Sequence, residues 1–204
     1  MARKKPKASL KREVRNLETN KKILIVCEGE KTEPQYFNYL INKYRLNTAS
    51  VVVTGDCGSS PKSVYEEALS LYEASGGKHQ IEYDKVFCVY DCDDFTEHKM
   101  LKNEIKGRKA FELIFSNPCF EVWYIFHFNN STKPFAQKGK KTASQQAKSE
   151  AKKLLDRHGN NLFQTLYERI DVAISNAHSN AKQNIENPYT NMYKLVEELI
   201  ELKK

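Results

Sequence analysis

The stretch Ile23 to Pro34, ILIVCEGEKTEP, decides the fold. Four branched apolar residues and a cysteine run without interruption into Glu28-Gly29. A continuous apolar run of this length, rather than an alternating one, is what a strand buried on both faces requires. Turn chemistry closes the run, and Thr32-Glu-Pro-Gln35 then opens a helical period, TEPQYFNYLINKYRL. Thr32 reads as the N-cap, Gln35 as the third position of a capping box, and Pro34 falls in the first turn, where its missing N–H costs little.

The same alternation continues outward. SVVVTG (50–55) predicts a second strand. SPKSVYEEALSLYEA predicts a helix capped by Ser60, with Pro61 at its first position and Gly76-Gly77 at its end. YDKVFCVYD (83–91) predicts a third strand, TEHKMLKNEIKGR a short helix, KAFELIFS (109–116) a fourth strand, and PCFEVWYIFHF a helix opened by proline. Strands alternating with helices predict an α/β fold, a mostly parallel sheet flanked by helices. After His127 the composition turns to Asn, Ser, Lys and Gln, and three helical periods follow: SQQAKSEAKKLLDRHG, NLFQTLYERIDVAISNAHSNAKQN and NMYKLVEELIELKK. The expected organisation is a basic arm over 1–21, an α/β core over 22–128, and a loop with a helical C-terminal part over 129–204, packed back on the core.

Charge supports this division. The net charge is +7 over 204 residues, and residues 1–22 alone carry a net +7, so the remainder is balanced. Such an arm suits solubility or sequence-blind contact with phosphates. The basic loop with Lys133, Lys138, Lys140 and Lys141 is either solvated or lines a nucleic-acid groove. Five scattered cysteines complete no zinc pattern and read as reduced thiols of a cytoplasmic protein. No apolar run approaches the roughly 20 residues that cross a membrane.

Ligands of open parallel sheets bind outside the carboxyl ends of the strands. Two acidic groups are expected at that edge: Glu28 after the first strand, and Asp91, Asp93 and Asp94 in YDCDDF after the third. Carboxylates brought together repel unless a cation lies among them, and an oxygen-only donor set suits Mg²⁺ or Mn²⁺. Glu121, inside an otherwise apolar segment, is either a further ligand or a buried acid paired with a base. Lys31 either meets a phosphate or balances Glu30 and Glu33. Glu33, in a first helical turn, is assigned to the helix dipole rather than to a metal, and the part of Glu30 is left open. His127 reads as a core histidine and His98 as a marginal candidate base.

A strand followed by Glu-Gly, and a strand followed by Asp-x-Asp, resembles the Toprim domain of topoisomerases, primases and OLD-type nucleases. Over residues 22–199 the motifs ILIVCEGEKTEPQYF, VYDCDD, SNPCFEVWYIFHF and NPYTNMYKLVEEL together resemble the RloB-like family, a Toprim-related group linked to restriction loci and phage defence. That resemblance implies a Toprim-like core and a metal-dependent nuclease acting on DNA or RNA, gated by an ATPase partner. It implies Glu28, Asp91 and Asp93 as metal-binding and catalytic residues, with Glu121 as an added ligand; Lys31 is the loop's own candidate for a catalytic cation. EGEKTE is one residue longer than the OLD-type pattern, which unsettles the carry-over to Glu33. The alternative is a non-catalytic subunit that binds nucleic acid or a partner through a Mg²⁺-dependent acidic site.

Overall fold

The computed structural model describes residues 21–47, 51–55, 57–58, 60–75, 83–92 and 95–203. The basic arm over 1–20, Gly76-Gly77, and Asp93 and Asp94 lie outside the described residues.

The first strand, β1 (Ile23–Cys27), is buried at every position. Its side chains divide between two apolar layers. Ile23, Ile25 and Cys27 pack with helix α1 (Thr32–Tyr44), whereas Leu24 and Val26 pack with α2 (Pro61–Ala74) and α3 (Phe95–Glu104). Both faces of the strand are thus covered, which is why its sequence does not alternate. Strands β2 (Val51–Thr54), β3 (Lys85–Asp91) and β4 (Phe111–Asn117) complete a parallel set. A two-residue strand, β5 (Tyr189–Thr190), adds to it antiparallel, giving the order β2-β1-β3-β4-β5. The chain leaves β1 for a neighbour on one side and then returns to the other, so the point where direction reverses lies between β1 and β3.

The helical remainder shares this core. Helix α4 (Glu121–Phe126) packs on α5 (Ala143–Leu155) and α7 (Ile170–Lys182), and α6 (Leu162–Glu168) and α8 (Met192–Glu201) contribute to the same apolar cluster as β1 and α1. Glu198 of α8 is salt-bridged to Lys21 and to Lys85, tying the last helix to the amino ends of β1 and β3.

Several expectations are corrected. The predicted cap of α1 is displaced by one residue: Lys31 holds the N-cap position without a side-chain hydrogen bond, and Thr32 is already helical. Ser60, by contrast, caps α2 and forms a capping box with Ser63, with Pro61 next to it. Pro118 lies in a cis turn ahead of α4 rather than in its first turn. The helical period over 161–184 is two helices that meet at Arg169, whose Nε donates to the His127 carbonyl at 2.7 Å and fixes the corner. The 129–142 segment is a loop, as expected, and it is tethered. Asn187 brackets Phe135, accepting from its N–H at 3.0 Å and donating to its carbonyl at 2.8 Å, and the Asn180 amide donates to the Ser131 carbonyl at 2.9 Å.

The NPYTN segment also closes the sheet. Asn191 lies against β4, accepting from the Phe115 N–H at 2.7 Å and donating to the Leu113 carbonyl at 2.9 Å. Its amide thereby supplies the hydrogen bonds that a longer β5 would have made.

Candidate functional site

Glu28 is the first residue past β1, and its N–H still continues the sheet, donating to the Val89 carbonyl at 2.9 Å. That register brings its carboxylate to the end of β3, where Oε2 accepts from the Asp91 N–H at 2.9 Å. Asp91 turns toward the α1 and α4 face, and its Oδ1 accepts from the Phe120 N–H at 2.7 Å, at the start of α4. One chain of hydrogen bonds therefore links the exits of β1 and β3 to α4. Glu121, the first residue of α4, is brought to the same opening.

The result is an open cleft of about 460 Å³ at the carboxyl edge, at the reversal point between β1 and β3. Five carboxyl side chains (Glu28, Glu30, Glu33, Asp91, Glu121) and two lysines (Lys31, Lys148) line it.

Glu33 stands in the first turn of α1, as expected, with its carboxyl held by its own backbone N–H, and it is also buried in the cleft, 7 % exposed. Its carboxylate folds back over Gly29, where a Cβ would overlap it. Gly55, after β2, is needed for a similar reason: a Cβ there would come within 2.5 Å of the Gly29 carbonyl. These two close approaches form the floor on which Glu33 rests, and neither is legible from helix propensity.

The electrostatics follow from this crowding. Burial first, then the charges of Glu33, Glu28 and Glu121, push Asp91 up to about 8 against the pull of the Phe120 N–H. Burial also raises Glu33; its own backbone N–H pulls the other way, Glu121 and Glu28 add to the rise, and Lys148 opposes it. Desolvation acts to lower Lys148, but Glu121, Asp91, Cys119 and Glu33 outweigh it, so Lys148 is held above its ordinary value and stays charged.

Glu28, Asp91, Glu121 and Glu33 are the side chains here that can offer oxygen ligands. Among the described residues, no three Asp, Glu, His or Cys side chains already stand together as a ligand set for a metal ion. Asp93 lies outside the described residues. Lys31 lines the exposed rim.

The histidines lie elsewhere. His127 is fully buried, its Nδ1 is 2.8 Å from the Trp123 carbonyl, and burial takes it down to about 4. His98 stands on the opposite face of the sheet, with its Nδ1 2.7 Å from the Tyr90 hydroxyl and its ring against Phe115. The loop lysines Lys133 and Lys138 border a separate groove beside α5. Lys148, the cation that does reach the cleft from α5, was not singled out in the sequence; its proximity to buried Ala147 and Ala151 was the available sign.

A family model described as RloB-like protein matches residues 23–199. The chain belongs to the RloB-like family. The match runs from the first residue of β1 into α8, so every described residue of the cleft falls within the RloB-like region. No curated protein and no solved structure matches the chain. No helix among the described residues is long and apolar enough to cross a membrane.

Proposed function

We propose that this RloB-like protein is a metal-dependent nuclease that hydrolyses phosphodiester bonds of nucleic acid. One observation carries the reading: Glu28, Glu33, Asp91 and Glu121 converge at the sheet's reversal point, where Asp91 is pushed up to about 8. Acids crowded this closely are stabilised as charges by a cation, and the oxygen-only donors suit Mg²⁺ or Mn²⁺. Glu28, Asp91 and Glu121 would hold it, with Asp93 as the further ligand implied by the family resemblance. A divalent cation bound there supplies an activated water and stabilises the leaving oxygen.

The chain's own groups have separate tasks. The Asp91 N–H orients Glu28, and the Phe120 N–H orients Asp91. Burial biases Glu33 toward its neutral form, in which it adds no negative charge to the cleft. Lys31 stands at the rim, where it can meet an incoming phosphate. The setting implied by the resemblance is phage defence, with the activity gated by an ATPase partner.

The test is cleavage of DNA and RNA by the full chain in Mn²⁺ or Mg²⁺, alone and with its ATPase partner. Asp91→Asn and Glu28→Gln should each lower turnover by about 10²-fold or more. Undiminished cleavage by Asp91→Asn would discard the site. Absence of cleavage under every condition, together with metal-dependent binding of nucleic acid, would instead make the protein a non-catalytic binding subunit.

A further inference from the structure

The structure assigns Lys148 as the residue that grips the substrate phosphate in this cleft, an inference that rests on the nuclease reading and deepens it. Its position is built, not incidental. The first turn of α5 is fastened to the turn before α4: the Ser144 hydroxyl donates to the Pro118 carbonyl at 3.3 Å, and the Cys119 thiol donates to the Ser144 carbonyl at 3.7 Å. Lys148 is four residues on, so it projects from the same face of α5 one turn later. There it lines the same cleft as Glu28, Asp91 and Glu121.

Its pairing is the second observation. Lys21, Lys62, Lys85, Lys152 and Lys194 each form a salt bridge with a carboxylate. Lys148 shares its cleft with five carboxyl side chains, yet it is in direct ion-pair contact with none among the described residues. An ammonium bonded to Glu121 would compete with a metal for that carboxylate. Outside ion-pair contact, it leaves Glu121 accessible to a metal and presents its charge to the cavity. A phosphate entering a cleft of carboxylates meets attraction at three places: the cation-binding acids when loaded, Lys31 at the rim, and Lys148. Lysine serves here as a compact point charge toward one phosphate oxygen.

The experiment compares Lys148→Met, Lys148→Arg and wild type as full chains, with Lys152→Met, one turn further along α5 and salt-bridged to Asp156, as the control. Cleavage is measured in Mn²⁺, binding of a labelled single-stranded oligonucleotide is measured in Ca²⁺ as a function of salt, and Mn²⁺ affinity and thermal midpoint are recorded. Expected for Lys148→Met is a loss of about 10²-fold in kcat/KM. The slope of log affinity against log salt should also fall by about 0.7, the signature of one lost phosphate contact on a single strand. Mn²⁺ should bind no more weakly, Lys148→Arg should recover part of the activity, and Lys152→Met should match wild type. Wild-type cleavage and an unchanged slope in Lys148→Met would overturn the assignment while leaving the nuclease reading intact. Lost activity with an unchanged slope, or with weakened Mn²⁺ binding, would make Lys148 a counter-charge and equally overturn it. A wild type that binds through Lys148 but cleaves nothing would sink the nuclease reading and keep the phosphate grip. Neither binding nor cleavage by wild type would end both. If Lys148→Met does not fold, Lys148→Gln is judged by the same criteria.

Discussion

Asp91 shows how one residue can serve a site at the expense of the fold. Its carboxyl is retained in its neutral form up to about 8, whereas in an unfolded chain it ionises near its ordinary 3.8. Between those values the folded protein binds more protons than the unfolded one, so without metal its stability falls as pH rises across that window. Asp91→Asn keeps an oxygen for the Phe120 N–H and cannot ionise. It should flatten this slope and raise the stability of metal-free protein at pH 7.5 by at least about 1 kcal/mol, measured by urea unfolding at pH 5 and pH 7.5. A variant no more stable than wild type at pH 7.5 would mean that Asp91 is already ionised there.

Legibility also divides residue by residue. Glu28 and Asp91 could be read because each directly follows an apolar run, and strand ends are positions that a sequence marks. Glu33 and Lys148 could not. Glu33 sits in a first helical turn, where an acid has an ordinary reason to be, and its place in the cleft depends on the bare backbone of Gly29 beside it. Lys148 belongs to a helix whose placement is set by Ser144 and Cys119, contacts that no local pattern announces.

Among the elements, the long buried strands were plain in the sequence, and the two-residue β5 was not, because so short a strand has no period. Its weight is carried by Asn191, which is 5 % exposed and makes two hydrogen bonds to β4. Asn191→Ala would leave the Phe115 N–H and the Leu113 carbonyl without that partner. The expected cost is about 2 kcal/mol, seen as a lower midpoint in chemical denaturation. An unchanged midpoint would show that β4 is held by its parallel neighbour alone. Helix starts followed the same logic. Ser60 makes the side-chain bond that its sequence predicts, whereas Thr32 is already helical and Lys31 holds the N-cap position of α1.

Across the whole molecule, the α/β part and the later helices do not bury separate cores. Ile23, Ile25 and Phe37 share one apolar cluster with Trp123, Ala151, Ala173, Leu195 and Leu199. A fragment ending at Phe128 would expose the face of the sheet that α5, α7 and α8 cover. It should be insoluble or melt without a cooperative transition, as sedimentation and thermal unfolding would show; a soluble fragment with a sharp transition would establish an independent α/β domain. The alternation of strands and helices made the sheet readable, but this shared core rests on tertiary packing that spans the chain.

The hydrogen-bond chain from Glu28 through Asp91 to Phe120, with Lys148 facing it, has a consequence for how the protein is made. Its parts are separated by most of the sequence, residues 28 to 148 of the 204. During synthesis the first acid emerges long before its neighbours, and nothing in the β1 exit alone gathers them. The complete cleft needs α5, so a chain that stops before Lys148 lacks one of its walls.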